Sequence, residues 1–229
     1  MHITLDGKKI EVAPKTKVLD LINDGTLACK VNNHLEELTY EINSEVEIKT
    51  INLSSVLGQR IFERSLVFVL VRAVRELYPS ARVVVQHSLS NGIFVELKDI
   101  GQAISPVMAK IISARMQEII ESKEPFEKEI VRKYEAEKLF LDDGQLDKVE
   151  LLRQRPEEYV AVYSLGWYKD YSHLPVVPHA GLLQPFALKF YLPGFILQMP
   201  TYKNPNKIAP YKEQQKLAQV FCEEMMFLL

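Results

Sequence analysis

Three of the five histidines, together with one aspartate, are the residues that could most readily do chemistry in this chain. They are His87, His173 and His179, with Asp170 close to the second of them. An imidazole titrates near neutral pH and binds transition metals, so these groups could form a metal centre or an acid-base site. His87, however, falls where a strand meets a turn, and histidines near turns are commonly hydrogen-bonded surface groups. We therefore predict no catalytic residue and no metal, with the three histidines as a rival metal site.

A second possible chemistry is anion binding around Arg64. This arginine lies in a strongly apolar helical segment, and a buried guanidinium requires a carboxylate or a phosphate as partner. If the side chain faces solvent, it requires neither. A polar run beyond Trp167 and Tyr168 offers further hydrogen-bonding groups. The hypothesis is a site for a phosphate-bearing ligand, with Arg64, Lys169, Asp170, Tyr171 and His173 as its candidate residues.

Composition and short motifs exclude several classes of protein. The 229 residues carry a formal net charge of −2, so nucleic-acid binding would require a local basic patch. Cys29 and Cys222 form no CxxC pair, which favours free thiols in a reducing compartment. No stretch approaches the ~20 apolar residues of a membrane span, which predicts a cytoplasmic protein with no membrane partner. The absence of a GxxxxGK[ST] motif means that this chain builds no P-loop.

The first 51 residues must form a small mixed sheet. Alternating apolar residues flank Asp6-Gly7, which is a strong hairpin signal. Thr16 is predicted to cap a short helix that ends before Gly25. Two further strands are predicted at 28–31 and 46–51, giving the order ββαββ of a β-grasp.

Three stretches of this segment resemble a TGS domain of the threonyl-tRNA synthetase type: LDGKKIEV, PKTKVLDLI and CKVNNHLEELTYEINSEVEIKTI. The resemblance implies a ubiquitin-like module at 1–51 that carries no catalytic residue and is suspected of binding nucleotide or RNA. Scattered lysines could supply a basic face for such a ligand, or could simply be a solvated surface. They are Lys8, Lys9, Lys15, Lys17 and Lys30.

The rest of the chain alternates between helical and strand patterns. A largely buried helix is predicted at 55–78, and a second helix begins at Ser105-Pro106 with N-cap chemistry. Between them, two strands flank the turn Ser90-Asn91-Gly92. Later elements are a strand at 128–131, two charged helices around Asp142-Asp143-Gly144, strands at 159–163, 186–191 and 195–199, and helical spacing from Tyr211.

The run RIFERSLVFVLVRAVRELYP followed by VVVQHSLSNGIFVEL resembles the second additional domain shared by threonyl- and alanyl-tRNA synthetases. The resemblance covers about 60–200 and implies an α+β editing-like domain at 52–229, with an antiparallel sheet and a long buried helix. Editing enzymes of this family carry HxxxH on that helix and CxxxH on a later loop. Residues four apart share a helix face and can converge on one ion.

The positions in this sequence that match those four ligands do not have metal-binding side chains. The helix pair falls at Arg64 and Phe68, and the loop pair falls at Ser172 and Val176. Four simultaneous losses indicate that the metal chemistry was abandoned. A slip of the loop alignment would bring His173 or His179 nearer to the site, but the helix would still offer no partner.

One further run, LLQPFALKFYLPGFILQMP, resembles bacterial uridine kinase-like nucleoside kinases, in which a TGS and editing-like pair precedes a P-loop domain. The chain ends at Phe227-Leu228-Leu229 within an apolar helical pattern, which predicts either truncation or a terminus that packs back. The leading hypothesis is a non-catalytic accessory region of a uridine kinase-related protein. Its partner would be an absent P-loop kinase domain using ATP and Mg²⁺, with no cofactor in this chain. The alternatives are a stand-alone RNA- or nucleotide-binding adaptor and a trans-acting hydrolase of mischarged tRNA.

Overall fold

The computed structural model describes residues 1–22, 25–89 and 92–211. The helices are α1 (Val56–Leu77), α2 (Pro106–Glu121), α3 (Lys133–Asp142) and α4 (Leu146–Arg153). The strands are β1 (His2–Leu5), β2 (Lys8–Glu11), β3 (Thr16–Lys17), β4 (Ala28–Val31), β5 (His34–Glu36), β6 (Glu41–Ile42), β7 (Glu47–Ile51), β8 (Arg82–Leu89), β9 (Gly92–Lys98), β10 (Glu127–Arg132), β11 (Tyr159–Leu165), β12 (Tyr168–Tyr171), β13 (Ala187–Tyr191) and β14 (Gly194–Gln198). This mixture of helices and mainly antiparallel sheets confirms the α+β class.

The chain divides into two compact units that are discontinuous in sequence. The first unit comprises Met1–Val69 and Ile119–Leu183, and the second comprises Leu70–Glu118 and the chain from Gln184 onward. The two units are defined by their compactness alone. They do not test the predicted domain boundary between residues 51 and 52, which stays a prediction. The division falls within α1 and near the end of α2.

The N-terminal sheet of the first unit has the strand order β2-β1-β7-β4-β5. Strands β1 and β7 run parallel at its centre, and the outer pairings are antiparallel. The predicted hairpin is confirmed: Asp6 and Gly7 both have positive φ, 47° and 82°, as a type I′ turn requires. The Asp6 carboxylate also accepts hydrogen bonds from Thr50 N–H at 2.9 Å and from its hydroxyl at 2.8 Å, which ties the hairpin to β7.

The segment after Thr16 differs from the short α-helix that the sequence predicts. Thr16 and Lys17 form β3, which pairs with β6, and only Val18–Leu21 turn as a 3-10 helix. The Thr16 hydroxyl donates to the Ala13 carbonyl at 2.8 Å and caps nothing. The strand pairing uses the first residues of the predicted helix, and the four that remain suffice for one 3-10 turn.

A three-stranded antiparallel sheet, β10-β11-β12, carries the remainder of the first unit. Cross-strand pairing places Tyr168 and Tyr171 on opposite faces, because side chains alternate along a strand. Phe68 of α1 packs edge-on against Tyr168, with ring centroids 4.8 Å apart. Tyr171 packs on the other face with Phe140 of α3 and Leu152 of α4. The sheet is therefore covered by α1 on one face and by α3 and α4 on the other.

Strand β12 is the main element that the sequence analysis missed, since the polar run beyond Trp167 and Tyr168 was expected to form a loop. Gly166, with φ 58°, occupies the first central position of a two-residue turn between β11 and β12, where a type II′ turn favours glycine. The strands β10 and β11, the charged helices α3 and α4, and the long buried helix α1 are confirmed.

The second unit contains the antiparallel sheet β13-β14-β9-β8, and the strands predicted there are confirmed. Leu89, Phe94 and Ile196 form a buried cluster on it. Gly194 has to be glycine, because a Cβ there would lie 2.1 Å from the carbonyl oxygen of Val95. Helix α2 begins as predicted, since the Ser105 hydroxyl accepts the Met108 N–H at 3.2 Å.

Two predictions fall outside the described residues: the first two positions of the turn at 90–92, and the helical segment beyond Tyr211. Over the described ranges, no helix combines the length and apolar character needed to cross a bilayer. The cytoplasmic location stays a prediction.

Candidate functional site

The carboxylate of Asp170, in β12, is the centre of a buried ionic cluster in the first unit. Asp170 is only 4% exposed. The Lys148 amine contacts its Oδ1, and Arg64 Nη2 lies 3.4 Å from its Oδ2. The hydroxyl of Tyr168 also donates to Oδ2, at 3.3 Å. We call these four residues the Asp170 cluster.

The Asp170 cluster carries more positive than negative charge. Two cations, Arg64 and Lys148, face a single carboxylate, so the cluster has a formal charge of +1 when all three groups are ionised. Burial lowers the pKa of Lys148 from its ordinary value, Asp170 acts in the opposite direction, and Arg64 lowers this pKa further. The excess charge is therefore expensive in the absence of an anion.

A guanidinium in an apolar helix requires a partner, and Arg64 has one. It has a carboxylate, Asp170, and it also donates from Nη2 to the carbonyl oxygen of Tyr171. Both contacts use the same nitrogen, and a third of the side chain is exposed, at 33%. The remaining N–H groups of the guanidinium can therefore reach a bound ligand.

Other side chains occupy the positions that the resemblance aligns with the zinc ligands of editing enzymes. Phe68 and Val176 are buried, and the Phe68 ring packs against Phe126 as well as Tyr168. The hydroxyl of Ser172 is engaged with Leu174, donating to its carbonyl at 2.7 Å and accepting its N–H at 3.3 Å. These three side chains are thus buried or hydrogen-bonded within the protein.

The three histidines of the rival metal site have separate surroundings. His87 lies on β8 of the second unit, 6.0 Å from the Phe94 ring centroid. His179 forms a β-bridge with Pro125, and His173 is exposed. Across the described part of the chain, no three His, Cys, Asp or Glu side chains are grouped to hold a metal ion. The absence of a metal nevertheless stays a prediction.

Of the five predicted ligand residues, Arg64 and Asp170 interact directly, and Tyr171 contributes only its carbonyl oxygen. The Tyr171 ring points into the apolar cluster under α3 and α4. Lys169 points to the same face as Glu129, which it approaches to 3.8 Å, and this face is opposite to that of Asp170. His173 lies beyond the strand, where partial desolvation, Arg155 and Arg64 lower its pKa.

Lys148 is the cluster residue that the sequence analysis missed. It lies in a charged helix, where one more lysine attracts no notice. Its spacing does carry a signal, because Lys148 precedes the buried Leu152 by four residues and adjoins the buried Val149. A lysine on the apolar face of a short helix requires an anionic partner.

A second, largely enclosed carboxylate, Glu37, whose side chain is 12% exposed, also escaped the sequence analysis. Lys128 Nζ lies 2.8 Å from its Oε2, and the Tyr163 hydroxyl donates to its Oε1. Tyr163 is 2% exposed, and burial followed by the charge of Glu37 raises its pKa. These three residues, named here the Glu37 cluster, connect the end of β5 to strands β10 and β11.

Comparison with known proteins relates most of the chain to one class of enzyme. It is 28% identical to the threonine–tRNA ligase of Nitratidesulfovibrio vulgaris over 197 residues, which are 82% of this chain and 30% of the ligase. It is 29% identical to the threonine–tRNA ligase of Desulforamulus reducens over 82% of its length, and to that of Francisella tularensis subsp. novicida over 71%. The chain thus spans about 30% of the length of the curated relatives it matches. No family model matches it.

These similarities identify a threonyl-tRNA synthetase-like region and correct the leading functional hypothesis. The relatives are threonine–tRNA ligases, and none supports a link to uridine kinases, ATP binding or a kinase domain. The prediction of an accessory region of a uridine kinase-related protein is therefore wrong. The run that suggested it, from Leu182 to Pro200, builds β13 and β14. The synthetase-related alternatives fit the findings better.

Proposed function

We propose that the chain is an editing-like domain, related to threonyl-tRNA synthetases, that binds the acceptor end of tRNA without zinc. The observation that carries this proposal is the Asp170 cluster, which combines excess positive charge with a partly exposed guanidinium. It lies next to Ser172, one of the positions that the resemblance aligns with the editing ligands. The similarity to threonine–tRNA ligases supplies the class of ligand.

The electrostatics of the cluster suit a phosphate better than a neutral ligand. A bound phosphate would neutralise the charge that Asp170 leaves uncompensated on Arg64 and Lys148. Neutralising phosphate charge also releases counterions from RNA, so binding should weaken as salt rises. The near-zero net charge of the chain means that such binding would depend on this local patch.

We also propose that residues 1–51 are a TGS module of the ubiquitin-like type and that the editing-like domain begins at residue 52. The parallel pairing of β1 with β7 at the centre of a mixed sheet supports this assignment. In the order β2-β1-β7-β4-β5, the first strand of the segment, β1, lies beside the last, β7. Strand β2 flanks this central pair on one side, and β4 and β5 flank it on the other.

A second candidate function is hydrolysis of mischarged tRNA, and one observation favours it. The Lys148 amine contacts the Asp170 carboxylate, only 19% of its side chain is exposed, and burial lowers the pKa of Lys148 from its ordinary value. The pair Lys148 and Asp170 could therefore assist the attack of water on an ester without any metal. Binding without turnover is the simpler outcome, and the two functions separate in one experiment.

The experiment uses the full chain with uncharged tRNA and with tRNA charged with threonine or with serine, which lacks one methyl group. We expect filter binding to weaken with salt, and we expect Arg64→Ala to reduce affinity about tenfold and the salt slope by about one. Arg82→Ala, which removes an exposed arginine from β8, is the matched control and should change neither. Equal affinity and slope for Arg64→Ala and the intact chain would refute the proposed site.

Release of the amino acid is measured in the same samples. Faster release by the intact chain, lost in Lys148→Met at tRNA concentrations that still saturate this variant, would assign hydrolysis to the Asp170 cluster. Release at the uncatalysed rate, with salt-dependent binding retained, would assign binding alone.

A further inference from the structure

A cavity of about 240 Å³ lies in the first unit and is separate from the Asp170 cluster. Strand residues Lys128, Tyr159 and Tyr163 line it, together with Glu37, which contacts Lys128 and Tyr163. Arg155, Glu157 and His173 also line it, whereas Arg64, Lys148 and Asp170 do not. A ligand in this cavity would therefore meet a different set of side chains from one bound at the Asp170 cluster.

Part of the cavity wall is fixed and neutral, because the Glu37 cluster satisfies its own groups. Glu37 accepts from the Lys128 amine and from the Tyr163 hydroxyl, so one positive and one negative charge cancel. These contacts hold the wall in place without offering a strong charge to a ligand. Specific attraction must come from the remaining lining residues.

Arg155 and His173 are the lining groups that are available for a ligand. The nearest acid to the Arg155 guanidinium is the exposed Glu157, whose Oε1 lies 3.8 Å from Nη1, too far for a hydrogen bond. Its other contact is with the face of the Tyr171 ring, 5.9 Å from the centroid. In the described part of the chain, neither the Arg155 guanidinium nor the His173 ring donates or accepts a hydrogen bond.

The same cavity presents an exposed aromatic ring. Tyr159 is 51% exposed, although it lies at the start of a strand whose other aromatic residue, Tyr163, is buried. An exposed ring beside an available guanidinium is the combination that binds a nucleotide, because every base has a face that can stack and every phosphate can accept from an arginine fork. The volume is below the roughly 300 Å³ of the smallest drug-sized pockets, which limits the ligand to about one base inside the cavity.

We propose that this cavity binds a single nucleotide, with its base against Tyr159 and its phosphate between Arg155 and His173. The nucleotide could be free or could be the terminal residue of an RNA strand, since both present the same ring and phosphate. Binding of a free nucleotide would not depend on the proposed tRNA function, because the cavity is lined by none of the charged residues of the Asp170 cluster.

The test is calorimetric titration of the full chain with AMP, adenosine and inorganic phosphate. We expect AMP to bind more tightly than either fragment, because only AMP uses both the ring and the guanidinium. Arg155→Ala and Tyr159→Ala should each weaken AMP binding about tenfold or more. Their matched controls are Arg153→Ala and Tyr134→Ala, which remove an arginine and a tyrosine that are also exposed in this unit but do not line the cavity.

Competition with a short single-stranded RNA distinguishes the two sources of nucleotide. Displacement of AMP by the RNA at lower concentration assigns the site to an RNA end, and tighter binding of AMP assigns it to a free nucleotide. Arg155→Lys keeps the charge but loses the fork, so it checks the result should Arg155→Ala unfold. The proposal is overturned if AMP fails to bind at millimolar concentration, if phosphate alone binds as well as AMP, or if both cavity variants behave like their controls.

Discussion

Two carboxylates in the first unit, the buried Asp170 and the largely enclosed Glu37, illustrate two ways of surrounding a negative charge with protein groups. Each accepts a hydrogen bond from a tyrosine hydroxyl and contacts a lysine amine. Only Asp170 faces a second cation, Arg64. The Glu37 cluster is therefore electrically balanced, whereas the Asp170 cluster has one positive charge left over.

This difference separates a structural contact from a candidate binding site. A balanced, hydrogen-bonded ion pair can hold two strands and a loop together and has nothing to gain from a ligand. An unbalanced cluster that keeps part of a guanidinium in solvent is stabilised by any anion that reaches it. The number of cations around the carboxylate thus decides whether the same side-chain types form a structural contact or a candidate anion site.

The largest expected effect comes from removing the negative charge of the unbalanced cluster. Asp170→Asn leaves Arg64 and Lys148 facing each other without a carboxylate, so we expect the free energy of unfolding to fall by about 3 kcal/mol. Urea denaturation measures this loss. Glu150→Gln changes an exposed carboxyl of α4, the helix that carries Lys148, and should shift stability by less than about 0.5 kcal/mol. If the free energy of unfolding falls as little as in the control, Asp170 does not stabilise the charges of Arg64 and Lys148.

The balanced cluster should respond less at neutral pH but in a distinctive way at high pH. Tyr163→Phe removes one hydrogen bond to the Glu37 carboxylate, which should cost about 2 kcal/mol. Because burial raises the pKa of Tyr163 from its ordinary value of 10.0, the unfolded chain loses the phenolic proton above pH 10 while the folded chain retains it. The contribution of Tyr163 is thus complete below pH 10 and declines by about 1.4 kcal/mol per pH unit above it.

Denaturation at pH 8, 9, 10 and 11 checks this prediction. The difference in unfolding free energy between the intact chain and Tyr163→Phe should be constant up to pH 9 and should shrink above pH 10. A constant difference over the whole range would mean that Tyr163 ionises as readily in the folded protein as in the unfolded chain.

Much of the fold could be predicted from the sequence because the sequence signals for it are local. The Asp6-Gly7 turn, the apolar run of α1 and the Ser105 cap each act within a few residues, and each is present as predicted. The segment after Thr16 was misread because its pairing partner, β6, lies about 25 residues further along the chain. Strand β12 was missed for a related reason, since four residues after a tight turn show too little alternation to be recognised.

Residues of the site could be predicted only where a resemblance or an unusual local pattern indicated them. Arg64 attracted attention as a charge in an apolar helix, and Asp170 as an acid beside a histidine. The contact between Glu37 and Tyr163 joins residues 126 positions apart, and no spacing rule links them. Lys148 was detectable from its helical position, but its partner could be found only once β12 was known.

The smallest and most local prediction concerns Cys29, whose thiol donates weakly to the Glu36 and Glu37 carbonyls at 3.7 Å each. Burial, followed by the charges of Glu36 and Glu37, raises the pKa of Cys29 to about 12. Since the thiolate is the reactive form, iodoacetamide at pH 8 should modify Cys29 at least about a hundredfold more slowly in the native protein than in urea. Mass spectrometry of the Cys29 peptide measures the rate.

The same measurement sharpens the comparison between the two carboxylates. Tyr163→Phe should accelerate the labelling of Cys29, because it loosens the backbone of Glu37 on which the thiol rests. Ser172→Ala, which alters a hydroxyl engaged only with Leu174 beside the Asp170 cluster, should leave the rate unchanged. Equal rates in the intact chain and in Tyr163→Phe would show that the Glu37 cluster does not protect the thiol.

The discontinuity of the first unit has a consequence for its biosynthesis. Its opening portion ends at Val69, but Tyr168, the strand residue against which Phe68 packs, belongs to Ile119–Leu183. A ribosome adding about 5–20 residues per second needs on the order of 10 s to produce the missing portion. During that interval the Phe68 ring lacks Phe126 and Tyr168, the rings against which it packs in the folded protein, so this apolar side chain remains without these partners until translation supplies the sheet.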